Sequence, residues 1–277
     1  MIDNRRVKVI VTGGNSGVGK ATSAALAAQG HHVVIACRDV TKARRAARAM
    51  AGDVEVASLD LANLASVRGF AGSVDRVDVL INNAGVMGPG VTRTADGFEA
   101  HMGVNHLGHF ALTCLLGDRI GDRVISVASA MHALARLPID DLGGRNRNPA
   151  PWRGYSESKL AVLLFTYELA RRGVRAYATD PGATDTDIAR DATGFAGWLN
   201  ASSLPRPYLQ TAAKGARATI AAVTTDLPSG TYLAPRFNQW GTPKVTRPRP
   251  RALDPAMAKR LWAESVELTG CDWSRSP

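Results

Sequence analysis

Two side chains in the stretch RGYSESKLAVLL could do acid–base chemistry together: Tyr155, a phenol, and Lys159, an ammonium four residues later. On a helix, positions i and i+4 share a face, so the spacing predicts neighbouring side chains. A free phenol holds its proton up to about pH 10, too tightly for easy exchange near neutrality. A lysine ammonium about 5 Å away stabilises the phenolate by ~3 kcal/mol at an effective dielectric of ~20, roughly two pKa units, against less than ~1 kcal/mol in bulk water. A partly desolvated pair is therefore a proton donor tuned towards neutral pH, with Lys159 doing most of the tuning. A solvated pair is two ordinary residues on one helix. The spacing is compatible with both, and the elements that position the pair decide.

Those elements alternate along the chain. Short β-branched runs (VKVIVT, HHVVIAC, DVEVASL, VDVLIN, DRVISVAS, VRAYATD) are separated by amphipathic segments at Lys20–Gln29, Thr41–Ala51, Asn63–Ala71, Phe98–Leu116 and the helix carrying Tyr155. Strands that are apolar throughout and separated by helices predict a parallel sheet covered on both faces, a doubly wound α/β fold. Ligands of such sheets sit beyond the carboxyl ends of the strands, so chemistry is expected there.

With 277 residues, 45% of them hydrophobic, the chain can bury a large core. One domain over residues 1–233 is expected, followed by a Pro/Arg-rich tail and a last helix, Asp254–Thr269, over 234–277. The prolines of the tail predict that it continues neither helix nor central strand and lies over the surface. No apolar run approaches the ~20 residues of a membrane span, and Val7–Val11 is too short for a signal-peptide core. Cys37, Cys114 and Cys271 are far apart and make no CxxC pair, which fits a reducing cytoplasm and neither a disulfide framework nor a zinc site. The net charge of +10 is spread along the chain without a nucleic-acid-binding signature, so it reads as a basic surface favouring anionic ligands.

The first strand ends in TGGNSGVGK, Thr12 to Lys20. Gly13, Gly17 and Gly19 let the chain turn tightly and let backbone N–H groups approach a pyrophosphate with no Cβ in the way, so Asn15, Ser16 and Val18 with these glycines form the expected nucleotide turn. A triphosphate loop would need Ser or Thr after Lys20 to hold magnesium, and Ala21 stands there. Roughly twenty residues beyond such a turn a NAD-binding fold places an acidic side chain on the ribose 2′-hydroxyl; here the position holds Arg38, which favours a 2′-phosphate and hence NADP over NAD. Asp39 beside it is the countervailing residue.

The segments TGGNSGVG, NNAG at Asn82–Gly85, VNHLGHF at Val104–Phe110, Ser129 after a strand, YSESK at Tyr155–Lys159 and DPG at Asp180–Gly182 resemble, in order and spacing, the short-chain dehydrogenase/reductase family over about residues 7 to 225. ACRD, LDL and VNHLGHF are most similar to its retinol dehydrogenase and protochlorophyllide reductase type. The resemblance implies a single-domain Rossmann fold in which Tyr155 is the acid/base and Lys159 also holds the nicotinamide ribose. It implies that Ser129, rather than Ser126, orients the carbonyl oxygen. It further implies that Asn105 kinks its helix and holds a water in the proton path, that Asp60 and Leu61 border the adenine, and that Asn83, Ala84 and Gly85 pass beneath the adenosine ribose. Pro181, Gly182, Thr184 and Thr186 would hold the carboxamide. His101, His106 and His109 are then packing residues and no metal is expected.

A small carbonyl or alcohol substrate is implied, with selectivity in 130–153 and 187–208, where Trp152, Phe195, Trp198 and Leu199 suggest an apolar wall. The family commonly pairs the helices matching 98–116 and 154–172, which implies a homodimer or homotetramer; the apolar face of the second helix, Leu160, Leu163, Leu164 and Tyr167, permits such burial but equally fits packing onto the sheet. Two other classes fit parts of the sequence: an NADP-binding regulator with little turnover, which need not keep Ser129, Tyr155, Lys159 and Asn105, and a nucleic-acid binder, which the scattered basic residues do not favour.

Overall fold

The computed structural model describes residues 6–88, 93–147, 149–184, 209–237 and 239–273. Among them the strands β1 (Lys8–Thr12), β2 (His32–Cys37), β3 (Asp53–Ser58), β4 (Val77–Asn82), β5 (Ile120–Val127), β6 (Arg175–Thr179), β7 (Tyr232–Pro235) and β8 (Pro243–Val245) form one sheet in the order β3-β2-β1-β4-β5-β6-β7-β8. All neighbours are parallel except β7 and β8. Side chains alternate between the two faces, as the two-residue period of a strand requires. Val9 and Val11 of β1 join one core with Leu26, Ile35, Ile81 and Tyr177, while Ile10 joins the other with Leu80, Phe110 and Leu163.

Each core is closed by helices. α1 (Gly17–Ala28), α2 (Val40–Arg48), α7 (Ala212–Gly215) and α8 (Arg217–Thr224) are in the order of the chain with α3 (Leu64–Gly72), α4 (Ala100–Met102), α5 (Gly108–Leu116), α6 (Pro151–Arg171) and α9 (Pro255–Thr269). Leu26, Ala43 and Ala222 of α1, α2 and α8 cover the first face; Phe70, Phe110, Leu163 and Leu261 of α3, α5, α6 and α9 cover the second. The strand order reverses direction between β1 and β4, and the crevice at their carboxyl ends is where a ligand is expected in an open parallel sheet.

The boundary expected at residue 233 falls within β7, and the tail adds β8, an edge strand antiparallel to it. Pro243 opens that strand and Pro235 pairs with it, positions a proline tolerates because an edge strand leaves donors unused. The last helix begins under an Asp254 cap, whose carboxylate accepts the N–H groups of Ala256 and Met257, and ends at Gly270 in the left-handed region. It lies against α6. Trp262 enters an aromatic cluster with Phe110 (5.0 Å) and Phe165 (5.9 Å), the Arg172 guanidinium stands 3.9 Å from its ring, and Ser265 meets His106 Nε2 at 2.8 Å. Of the two placements open to them, Leu160, Leu163 and Leu164 take the one within the single chain, as core residues.

Candidate active site

The turn after β1 is shaped for a diphosphate. Gly13 and Gly17 have φ of +64° and +51°, which L side chains rarely adopt. A Cβ on Gly19 would stand 2.4 Å from both the Gly13 carbonyl oxygen and Asn83 Nδ2, and one on Gly13 would stand 3.0 Å from Ala84 Cα. Ser16, the extended residue capping α1, places no side-chain oxygen on the first-turn N–H groups, so these donors and the positive end of the helix remain for an anion. Asn15, Ser16 and Val18 are half-buried around them. The residues present fit a dinucleotide.

Thr12 locks this turn to its neighbour. Its Oγ1 accepts the N–H groups of Asn83 (2.9 Å) and Ala84 (2.9 Å), and Asn83 Nδ2 donates to the Thr12 carbonyl (2.8 Å). With its lone pairs taken, the hydroxyl donates to His109 Nε2 at 2.8 Å, while His109 Nδ1–H donates to the Asn105 carbonyl at 3.0 Å. Burial, with a smaller contribution from Lys159, pushes His109 down to about 4, so the ring is neutral and can play both parts. Asn83 is thus a strut between β1 and β4, and Ala84 and Gly85 continue from it half-buried. Neither Thr12 nor the bridging role of His109 was foreseen. The available signal was a histidine four residues after Asn105 in an otherwise apolar helix.

Asn105 lies within an irregular turn of its helix. Gly103–Leu107 is a π-helical turn between α4 and α5, the kind of insertion that swings a side chain out of the helical ladder. The Asn105 amide accepts from Val86 N–H (2.8 Å) and donates to Val86 C=O (3.1 Å) and Ser158 Oγ (2.9 Å). It therefore fastens the loop after β4 to the middle of α6. The other two histidines have structural partners as well: His101 Nδ1 bonds the Glu99 carboxylate at 2.6 Å, and His106, pushed down to about 3 by burial, bonds Ser265.

Helix α6, opened by Pro151, brings Tyr155 and Lys159 to the end of β5. Tyr155 is 8% exposed, and Ser129, close enough to lower its pKa, is extended (φ −162°) just past the strand. Ser126 is buried within β5 beside Asn82 and Ala178, so Ser129 is the serine at the site. Lys159 is 3% exposed; its Nζ donates to the Val127 carbonyl at 2.7 Å and stands 5.5 Å from the centre of the Tyr155 ring. The expected tuning is corrected here. Burial pushes Tyr155 up to about 12, opposed by the Ser129 hydroxyl and reinforced by the Asp180 carboxylate. Burial likewise lowers Lys159 to about 8. Burial penalises the charged form of each, the phenolate and the ammonium alike, and it is the largest cause at both residues.

The remaining expected residues line the same edge. Gly182 has φ +68°, and Thr184 Oγ1 donates to the Pro181 carbonyl at 3.0 Å. Thr186 and the 187–208 segment, with Phe195, Trp198 and Leu199, lie outside the described residues. Asp60 accepts the Ala62 N–H (3.0 Å), and Leu61 is buried against Gly108, where a Cβ would stand 2.5 Å from the Leu61 carbonyl oxygen. Arg38 and Asp39 are exposed past β2, and Asp39 Oδ1 is engaged as the cap of α2 by the Lys42 N–H at 2.8 Å. Arg147 reaches the buried Glu157 on α6 at 2.7 Å and so ties the loop before α6 to the catalytic helix.

This arrangement has known counterparts. Residues 7–195 match the family model described as short chain dehydrogenase. Human retinol dehydrogenase 13 is 40% identical over 95% of this chain and 85% of its own length, and human polyprenol dehydrogenase is 36% identical over 94% and 84%. A crystal structure of an uncharacterised protein from Mycobacterium paratuberculosis superposes with a TM-score of 0.85 at 45% identity, covering 97% of this chain and 95% of that one. A short chain dehydrogenase from Burkholderia cenocepacia, solved in complex with NADP, is 25% identical with a TM-score of 0.62, covering 83% and 96%. A dinucleotide-shaped turn, a serine–tyrosine–lysine set at the end of β5 and these likenesses converge: the chain belongs to the short-chain dehydrogenase family of oxidoreductases.

Proposed function

We propose that this enzyme transfers a hydride between NADP(H) and an apolar carbonyl or alcohol, with Tyr155 as the general acid/base. The observation that carries the reading is the buried Tyr155 ring with Lys159 Nζ 5.5 Å from its centre and anchored on the Val127 carbonyl, just before Ser129 at the carboxyl end of β5. When bound, the nicotinamide cofactor supplies or accepts the hydride. The chain's own residues handle the proton. In reduction, the Ser129 hydroxyl holds the carbonyl oxygen, and Tyr155 gives that oxygen its proton as negative charge develops there. The remaining phenolate is stabilised by Ser129 and by the Lys159 ammonium, which with a pKa near 8 is charged at neutral pH and can return a proton. Pro181, Gly182 and Thr184 bound the cofactor's reactive end, as Thr186 is proposed to do.

Arg38 supports NADP, because a guanidinium pairs with a 2′-phosphate and offers a hydroxyl no acceptor, while the Asp39 carboxylate is occupied by the α2 cap. NAD suits these residues less well. An apolar substrate is supported by the relatives named for retinol and polyprenol and by the exposed Trp152 and Leu134 flanking the catalytic edge. The three cysteines are free and buried, in keeping with a reducing, cytoplasmic setting, and among the described residues no helix is long and apolar enough to cross a membrane. The test is a screen of ketones, aldehydes and apolar secondary alcohols with each nicotinamide cofactor, followed by nicotinamide absorbance. Consumption of NADPH on an apolar carbonyl is expected. Tight NADPH binding with no turnover of any compound would contradict the proposal.

A further inference from the structure

The turn that carries Ser129 is held from behind by a histidine that the chemistry above does not use. Ser129 opens one tight helical turn, Ala130–Leu134, in which the Met131 N–H donates to its Oγ at 3.3 Å and the His132 N–H donates to its carbonyl at 3.1 Å. The His132 side chain folds back over the same residue, and its Nδ1 meets the Ser129 carbonyl at 2.7 Å. A carbonyl oxygen only accepts, so Nδ1 carries a proton, and in a neutral ring Nε2 is left as an acceptor. That acceptor takes the backbone N–H of Arg249, from the tail, at 3.4 Å. The ring is 5% exposed and stands edge-on to Tyr232 of β7, 6.1 Å between centres. Arg251 adds a second tie, its guanidinium donating to the Ala135 carbonyl at the end of the turn. The tail thus closes over the segment that carries the serine.

We propose that His132 is a positioning residue for the reaction: by holding the Ser129 carbonyl from behind, it fixes the direction in which the Ser129 hydroxyl meets the substrate oxygen. Both ring nitrogens end on backbone groups, so neither is free to exchange a proton with substrate, and orientation is the part left to the imidazole. Its two donors, the main-chain N–H and Nδ1–H, occupy both lone pairs of the Ser129 carbonyl and so fix the peptide that follows the serine. With the Met131 N–H on one lone pair of Oγ, the hydroxyl keeps its hydrogen and its other lone pair for the reacting groups. A tight turn of this kind has poor hydrogen-bond geometry of its own, and the ring supplies the restraint it lacks. The restraint matters because a misplacement of ~1 Å at a site can cost ~10²-fold in rate. Burial, over the opposing effects of the Ser129 carbonyl and the Asp180 carboxylate, lowers the pKa of His132, in keeping with a neutral ring whose Nε2 accepts.

The proposal rests on the role given to Ser129 in hydride transfer, and two measurements test it. The first needs no turnover. The Ser129 bond requires the ring proton on Nδ1, and the two tautomers are distinguished by ¹⁵N–¹H correlation through the ring carbons of ¹⁵N-histidine-labelled protein, with His132 assigned by its loss in His132→Asn. Nδ1–H is expected, and a proton on Nε2 alone overturns the proposal. The second is kinetic. His132→Leu should lower the single-turnover rate of carbonyl reduction about 10-fold or more, while the NADPH Kd stays within about twofold of wild type. His132→Asn, whose Nδ2 stands where Nδ1 stood, should recover the rate to within about threefold of wild type. In a Ser129→Ala background the same leucine should cost less than about twofold, because the hydroxyl it would misdirect is gone. A loss of equal size in both backgrounds would show that His132 only supports the fold, and overturns the proposal. Should His132→Leu not fold, His132→Gln, whose amide lies at the Nε2 position, takes its place: a glutamine variant as active as the asparagine one overturns the proposal. The two failures are distinct. A wild type that reduces nothing refutes hydride transfer, whereas one that turns over no faster than His132→Leu leaves hydride transfer standing and removes His132 from it.

Discussion

Replacing Arg38 by alanine tests the cofactor assignment most sharply, and its size can be worked from the site. A charge-assisted contact is worth ~1.5–3 kcal/mol when sheltered from water. Arg38 is exposed. At ~4 Å in bulk water each unit of charge contributes only ~1 kcal/mol, so a 2′-phosphate carrying nearly two charges gives ~1.5–2 kcal/mol. Arg38→Ala should therefore raise the KM for NADPH about 10- to 30-fold and leave that for NADH within about twofold. Raising ionic strength should erode the wild-type preference and have little effect on the variant, since salt screens an exposed pair. Asp39→Ala is the companion variant. It removes the cap on the Lys42 N–H and should cost ~1 kcal/mol of stability, a few degrees of Tm at most, while leaving the preference for NADPH in place. Initial rates with both cofactors at matched concentration measure all of this. If Arg38→Ala weakens NADPH and NADH alike, or if removing Asp39 rather than Arg38 changes the preference, the reasoning from Arg38 is refuted.

The buried histidines make stability fall in acid. Neutral His109, near 4 in the folded chain against ~6.5 unfolded, lets the unfolded chain bind more protons between those values, so ~3 kcal/mol should be lost as pH falls from ~6.5 to ~4. His106, near 3, extends the loss to lower pH. Urea titrations at pH 7 and 5 should show this fall in wild type and a smaller one in His109→Gln; an equal fall in both would remove His109 from the account. Gly19→Ala, whose Cβ has 2.4 Å to the Gly13 carbonyl oxygen, should abolish dinucleotide binding measured by fluorescence, and near-normal affinity would contradict the cradle. Trp262→Ala should destabilise by ~3–5 kcal/mol in thermal or urea melts, as expected for a large side chain removed from the α5–α6–α9 core; a loss below ~1 kcal/mol would show that α9 only rests on the surface.

Much of the architecture was legible because β1, β2 and β4 are buried on both faces and read as apolar, β-branched runs, while the edge strand β3 alternates charged and apolar residues with the two-residue period of a strand. Strand β7 was not, since Tyr232–Pro235 is four residues ending in proline and takes its strand form from two backbone pairings with β6. β8 likewise exists only as the partner of β7. Helix α9 was visible from its aspartate cap and final glycine, but an amphipathic pattern does not name the surface it meets, which here is α6. At the site, Ser129, Tyr155 and Lys159 could be brought together from the order and spacing of their segments. Thr12 and His109 could not be given their roles, because a buried polar side chain acquires its partners only when distant strands come together. The tuning of Tyr155 was misjudged for the same reason. Its sign depends on how deeply α6 sinks the phenol against β5, and i,i+4 spacing carries no depth.

The most direct test of the central claim is to separate cofactor binding from turnover in Tyr155→Phe. The substitution removes one hydroxyl and its proton, and leaves the glycine turn, Arg38 and Lys159 as they are. Fluorescence titration should give an NADPH Kd within about threefold of wild type, while the rate of carbonyl reduction falls by ~10² or more, the usual worth of a general acid. A phenylalanine variant that keeps more than about a tenth of the wild-type rate would show that the proton comes from elsewhere, and Tyr155 would not be the acid.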